Sequence, residues 1–192
     1  LKELRALCDT HGLLLVFDGV QCGMGRTGKL FSHEWAGVNP DICASAKGIG
    51  SGFPLGACLA TKAVGDTMGP GSHGSTYGNN PLGVRVGNAV MDLMLADGFL
   101  ENVVEVGDYL RGQLEKLQKE FPQHIDSVRG KGLMIGIKVE HDSNEFVQKL
   151  REKHLLTAPA AENVVRILPP LILTEVEADE GVEKIRELCE TL

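Results

Sequence analysis

Leu13-Leu-Leu-Val-Phe17 runs into Asp18-Gly-Val-Gln21, and Pro40-Asp-Ile-Cys-Ala-Ser-Ala-Lys47 runs into Gly48-Ile-Gly-Ser-Gly-Phe-Pro54. Each stretch is a short apolar segment that ends in a charged residue and a glycine-containing turn. A continuous apolar run bounded by turn signals fits a strand of a parallel sheet covered on both faces. Working outward, residues 1–10 have helical spacing and stop at His11-Gly12, a glycine C-cap. Phe31–Ala36 reads as a short helix, Asp41–Ser45 as the second buried strand and Gly56–Thr61 as the third. The fold class expected is therefore α/β, with consecutive units building a mostly parallel sheet.

The texture changes near residue 80. A glycine-rich loop from Gly69 to Asn80 precedes Pro81–Leu95, where small and apolar residues recur at helical spacing up to a stop at Asp97-Gly98. Phe99–Phe121 is a long amphipathic helix with apolar residues at 103, 106, 110, 114 and 117. Strand-like segments follow at Ile125–Val128, Leu133–Val139, Leu155–Ala158 and Val164–Leu168, with a helix from Ser143 to Lys153. A last helix starts at Thr174, where Glu177 three residues on completes a capping box. Two domains are expected: 1–80, part of a larger sheet domain, and 81–192, a connecting long helix and a small α+β domain.

Composition narrows the function classes. The 192 residues are 43% hydrophobic and carry a net charge of -7, which argues against a nucleic-acid surface. No apolar run approaches the roughly 20 residues of a membrane span. The first residues read as an amphipathic helix, not a signal peptide. Five scattered cysteines without CxxC spacing fit reduced thiols in a cytoplasmic protein. The six histidines form no HExxH, and no His/Cys cluster has metal spacing. Gly23-Met-Gly-Arg-Thr-Gly28 imitates a dinucleotide fingerprint only loosely and opens no helix. The chain lacks an initiator Met and begins inside a helix, which gives the expectation that it is a piece of something longer.

An acid at one strand end and a lysine at the next is the arrangement that holds a pyridine cofactor. The lysine amine reacts with the cofactor aldehyde, and the carboxylate keeps the ring nitrogen protonated. Asp18 sits at the carboxyl end of its strand, where open α/β sheets place ligands, although a turn-capping Asp has the same look. Ser45-Ala-Lys47-Gly gives the amine small neighbours, so that it can be enclosed beside a cofactor. Gly71-Ser-His-Gly-Ser-Thr-Tyr-Gly78 offers backbone amides and the hydroxyls of Ser75 and Thr76 to an anion such as phosphate. Arg166 is a guanidinium in the otherwise apolar strand Val164-Val-Arg-Ile-Leu168; it either forks onto a carboxylate or reaches solvent from an edge strand.

Four stretches together, Phe17-Asp-Gly-Val-Gln-Cys-Gly-Met-Gly-Arg-Thr-Gly28, Ala46-Lys-Gly-Ile-Gly-Ser-Gly-Phe-Pro-Leu-Gly-Ala57, His73-Gly-Ser-Thr-Tyr-Gly78 and Asn163-Val-Val-Arg-Ile-Leu-Pro-Pro170, resemble the class III pyridoxal-phosphate aminotransferases, in order and over essentially the whole chain. The resemblance implies the C-terminal part of a fold-type I transferase with pyridoxal 5'-phosphate as cofactor. It implies Lys47 as the cofactor-bearing catalytic base, Asp18 at the pyridinium nitrogen, Val20 on the ring face and Gln21 at the phenolic oxygen. Ser75 and Thr76 would reach the phosphate in the neighbouring subunit of a homodimer with shared active sites, and Arg166 would clamp the carboxylate of glutamate or 2-oxoglutarate. The substrates implied are small amino acids and 2-oxo acids. The amino donor is of the N2-acetylornithine kind, used in arginine biosynthesis, with succinyl-diaminopimelate as a second donor. Ornithine, 4-aminobutyrate and a non-catalytic binding or dimerisation module stay open as alternatives. The family pattern has Glu where this chain has Gly19, a change expected to loosen the strand end. Ser51 and Asn79 stand where glycine is usual, and a side chain there is expected to strain a tight turn. The family's phosphate-binding loop, ring-stacking aromatic and donor-reading Arg belong to an N-terminal half that these residues do not include. By themselves, therefore, the 192 residues are expected to bind cofactor weakly and turn over no substrate.

Overall fold

The structure, a computed structural model, describes residues 1–192 and resolves into two compact units, Leu1–Leu100 and Glu101–Leu192. In the first, helix α1 (Lys2–His11) ends at Gly12, whose left-handed φ of 64° lets its N–H close on the Cys8 carbonyl. Strand β1 (Val16–Asp18) pairs in parallel with β2 (Ile42–Ser45), in the register Val16↔Ile42, Phe17↔Cys43, Asp18↔Ala44. Leu15, Cys8 and Val38 form a small core on which Phe17 and Ala36 pack.

Strand direction differs from expectation, and within these residues the apolar run is covered on one side only. Leu15 is buried and Phe17 half-buried, whereas Leu13, Leu14 and Val16 are each more than half exposed. The cover from α1 and the 3-10 turn Ser32–Ala36 reaches a single face. The third strand, β3 (Ala57–Ala60), runs antiparallel to β2, so the sheet is mixed. Ala46–Gly56 is too short for the helical crossover that a parallel neighbour requires, and it folds instead as a 3-10 turn at Lys47–Ile49 and a reversal.

A surface ion pair ties α1 to β2. Asp41 Oδ2 accepts from Arg5 Nη1 and from the Leu15 backbone N–H, both at 2.7 Å. The Arg5 hydrogen bond, then the Leu15 N–H, hold the Asp41 carboxyl below its ordinary range. A depressed carboxyl pKa contributes stability that is present above the unfolded value of about 3.9 and lost as pH falls through the folded one. Acid titration followed by circular dichroism should therefore show destabilisation below about pH 4 that is weaker in Asp41→Asn than in the parent.

The short helix α2 (Lys62–Gly65), which has no strong sequence signal, follows β3. An exposed loop then leads to α3 (Pro81–Met94), where the Asn80 side chain caps the Gly83 N–H at 2.7 Å and Pro81 occupies the first turn. Helix α4 (Phe99–Glu120) buries Val103, Val106, Leu110, Leu114 and Leu117, the positions read from the sequence.

The second unit holds an antiparallel sheet in the order β4-β5-β7-β6, built from β4 (Ile125–Lys131), β5 (Met134–Val139), β6 (Ala158–Ala160) and β7 (Val164–Ile167). Between them lies α5 (Ser143–Glu152), capped by Asp142; α6 (Glu175–Cys189) follows β7, with the expected box between Thr174 and Glu177. Ile135, Ile137, Phe146, Leu150, Val165 and Ile185 form the core. β6 starts three residues later than read, where its pairing with β7 begins at Ala158↔Arg166; Leu156 is left 82% exposed. No helix is long and apolar enough to cross a membrane.

Candidate active site

The parallel pairing of β1 and β2 puts Asp18 level with Ala44, so Asp18 and Lys47 emerge from the carboxyl ends of adjacent strands. That end of a parallel sheet is where α/β folds place their ligands. Asp18 is exposed, and its Oδ1 accepts the Val20 N–H at 3.0 Å, so the turn-capping role is also realised. One carboxylate serves both readings: the cap orients the group and leaves its charge at the surface. Val20 and Gln21 follow, both half-buried.

Lys47 begins the 3-10 turn with φ 49°, a left-handed backbone that costs a lysine on the order of 1–2 kcal/mol. Its side chain is exposed, so the enclosure expected from its small neighbours is not supplied by these residues. What the neighbours supply is a rigid seat. A Cβ on Gly48 would lie 2.9 Å from Met24 Cβ, and one on Gly50 only 2.0 Å from the Phe53 carbonyl oxygen. Ser45, two residues before Lys47, is buried, and its hydroxyl has no hydrogen-bond partner. Helix α3 packs on the same turn through Gly87, where a Cβ would meet Leu55 Cδ2 at 2.9 Å.

Gly19 does not loosen the strand end. It is buried, its N–H donates to the Ala44 carbonyl at 2.9 Å and its own carbonyl accepts the Gly23 N–H at 2.9 Å. A Cβ there would approach the Ala44 oxygen to 2.8 Å. Glycine serves as a point of close approach that locks β1 to β2. The expectation for Ser51 and Asn79 holds, because both adopt left-handed φ, 44° and 56°.

The glycine segment Gly23–Gly28 opens no helix and instead wraps under the lysine turn. Met24, buried at φ 52°, is a contact that sequence reading missed. The glycines on either side of it are the only signal that could have marked a tight approach. Trp35 Nε1 anchors the far end of the segment on the Thr27 carbonyl at 3.1 Å. Burial pushes the Arg26 guanidinium down from its ordinary value.

Ser75 and Thr76 lie apart from this cluster on the exposed loop before α3. There the Ser75 hydroxyl accepts the Gly78 N–H at 2.9 Å. Arg166 belongs to the second unit. It stands in a row with Gly136 and Ala158 across β5, β7 and β6, half-buried, with Nη2 donating to the Pro159 carbonyl at 3.3 Å. No group of three or more His, Cys, Asp or Glu side chains is placed to hold a metal ion.

These features meet in one class of protein. A model of the family Aminotransferase class-III matches residues 1–189, and the chain belongs to that family. It is 53% identical to the acetylornithine aminotransferase of Mesorhizobium japonicum over 186 residues, covering 97% of this chain and 47% of that protein. The acetylornithine aminotransferase of Agrobacterium fabrum is likewise 53% identical, over 192 residues, covering 100% of this chain and 48% of the relative. Among solved structures, acetylornithine aminotransferase from Elizabethkingia anophelis superposes with a TM-score of 0.91 at 34% identity, over 100% of this chain and 49% of that one. Plasmodium falciparum ornithine delta-aminotransferase gives 0.92 at 32% identity, over 99% and 49%. The fold is thus the aminotransferase fold expected from the sequence. The chain spans about half the length of the curated relatives it matches.

Proposed function

We propose that this chain carries the lysine-bearing part of an aminotransferase that moves an amino group between N2-acetylornithine and 2-oxoglutarate, with pyridoxal 5'-phosphate as cofactor. The observation that carries the proposal is the pair Asp18 and Lys47 at adjacent parallel strand ends, with Lys47 held in a strained backbone. Left-handed backbone recurs at Ser51 in the same turn, so it is the juxtaposition of acid and lysine at adjacent strand ends that supports a functional reading. The names of the relatives at 53% identity support the donor and the place in arginine biosynthesis. Succinyl-diaminopimelate fits as a second donor of similar shape.

The residues present fit the cofactor. Bound there, it supplies an electron sink for cleavage of a substrate C–H bond. Lys47 Nζ would attach it and would hold the proton moved at the reacting carbon; its exposed position leaves the amine accessible for both. Asp18 would keep the ring nitrogen protonated, and its Val20 hydrogen bond fixes the direction of its charge. Val20 would pack on the ring and Gln21 would donate to the phenolic oxygen. Ser75 and Thr76 serve the phosphate of a second copy in a homodimer with shared sites, and Arg166 forks onto the substrate carboxylate. Residues 1–80 form the cofactor-binding portion, and 81–192 the connecting helix and small domain, of a cytoplasmic enzyme.

Borohydride trapping tests this reading. The full polypeptide is mixed with pyridoxal 5'-phosphate, reduced, digested and mapped. The expected result is label on the peptide containing Lys47, lost in Lys47→Ala. Label spread over other lysines with none on Lys47 would overturn the assignment.

A further inference from the structure

Away from Asp18 and Lys47, two half-buried imidazoles meet head to head. His124 ends the turn between α4 and β4, and His141 lies between β5 and Asp142, the N-cap of α5. The strands pair at Ile125↔Val139, and the Glu140 N–H donates to the His124 carbonyl at 3.1 Å. His124 Nδ1 and His141 Nε2 are 2.8 Å apart, a hydrogen-bond distance, with ring centroids 5.0 Å apart. Phe121 and Phe146 flank the pair, with centroids 6.5 Å from His124 and 6.4 Å from His141. Neither histidine has a part in the amino-group chemistry above.

We propose that the His124–His141 contact is an acid-released latch between the α4–β4 turn and the start of α5, closed while at most one of the two rings is charged and open when both are.

Counting protons gives the mechanism. With both rings neutral, one facing nitrogen donates its hydrogen and the other accepts it through a lone pair. A first added proton goes to the far nitrogen of the donor ring, which keeps the hydrogen bond and makes it charge-assisted. The only lone pair then left on the two rings is the accepting one, so a second proton must take it. Two N–H groups then face each other between like charges, and the contact breaks. Burial, and next the charge on His141, push His124 down from its ordinary value. The other charges of the packed elements are committed or exposed. Asp142 Oδ1 accepts from the Asn144 and Glu145 N–H groups, Asp126 on β4 pairs with Lys138 on β5 at 2.9 Å, and Glu120 at the end of α4 pairs with Arg186. Glu140 beside His141 and Glu145 in the first turn of α5 are exposed. A histidine held below its unfolded value of about 6.5 takes its proton more readily in the unfolded chain. The latch therefore contributes fully above about pH 6.5, and its contribution is lost as pH falls through the folded value.

Hydrogen–deuterium exchange on the full polypeptide, read by mass spectrometry at about pH 7.5 and about pH 5, brackets the ordinary histidine range and tests the latch. The reporter is the peptide carrying the Glu140 N–H, which bonds to the His124 carbonyl, and the control is α6 in the same unit. With the intrinsic pH dependence of exchange divided out, protection at the reporter is expected to fall about tenfold or more at the lower pH, since rings interacting by more than about one pK unit titrate as a pair. Protection in α6 should not change. In His124→Gln the fall should disappear, because glutamine has both a donor and an acceptor and keeps a hydrogen bond to His141 in either charge state. His141→Gln should behave alike, so the test does not depend on one variant folding. Equal protection at both pH values in the parent, an equal fall in α6, or a parental fall retained in either folded variant would overturn the latch.

Discussion

Lys47→Ala in the full polypeptide is expected to lower kcat/KM for transamination by about 10⁴-fold, close to 5.5 kcal/mol of transition-state stabilisation. A positioned acid–base group accounts for up to about that factor alone, and in the proposed function Lys47 would also attach the cofactor. The fold should not suffer. Lys47 is exposed and removing its side chain leaves no cavity. Alanine keeps the Cβ that makes the left-handed φ costly, so the backbone strain is unchanged. Asp18→Asn gives a matching but smaller loss. The amide keeps an oxygen for the Val20 N–H and so preserves the turn, while the charge proposed to hold the pyridinium proton is gone. Steady-state kinetics and thermal melts on the same samples separate chemistry from stability. A Lys47→Ala enzyme retaining a tenth of parental kcat/KM at unchanged Tm would remove Lys47 from the mechanism.

The parts of the fold legible in the sequence were those fixed by neighbours along the chain. Gly12 ends α1, the heptad-like spacing from Val103 to Leu117 faces the core of α4, and Thr174 with Glu177 closes the box that starts α6. Each depends on a hydrogen bond or a side-chain direction set within one or two helical turns. Strand direction is different. Gly56–Thr61 looks the same whether it pairs in parallel or antiparallel; only the length of the connection from β2, judged against the crossover requirement, distinguishes them. Within these residues, cover for the Leu13–Phe17 run reaches one face. Apolar composition records what a strand tolerates on each face, while cover depends on which helices arrive there.

The candidate site divides along the same line. Asp18 and Lys47 were readable because a charge after an apolar run stands out, and parallel pairing of β1 with β2 brings their ends together. Glycine positions were legible where φ is the constraint, as at Ser51 and Asn79, both of which take the left-handed backbone normally left to glycine. They were not legible where close approach is the constraint. Gly19 was read as a source of looseness, yet it is wedged between Ala44 and Gly23. Met24 under the lysine turn was invisible, because a tertiary contact between two glycine-rich segments leaves no periodic trace.

The largest stability effect is expected from one missing methyl group. Gly107 lies in the middle of α4, where a Cβ would stand 2.5 Å from the carbonyl carbon of Gly132, 2.6 Å from its oxygen and 2.7 Å from its Cα. All three are backbone atoms of the β4–β5 connection, which turns at Gly132 with φ 53° and is followed by the fully buried Leu133. No rotamer change can make room, so helix and hairpin must separate. Helix propensity acts in the opposite sense, since Ala is favoured over Gly by about 1 kcal/mol in a helix interior. Overpacking a close-packed contact costs about 1–3 kcal/mol and more where backbone must move. Sterics should therefore win. Gly107→Ala is expected to lose about 2 kcal/mol net, and Tm should fall by roughly 10 °C for a unit of this size. Gly112 in the same helix provides the opposite case. A Cβ there meets nothing within 4 Å, so Gly112→Ala should gain the propensity term without penalty and stabilise by about 0.5–1 kcal/mol. Chemical denaturation of the two variants tests the packing of α4 on the hairpin. Equal stabilisation by both substitutions would mean that α4 does not approach Gly132 as closely as described.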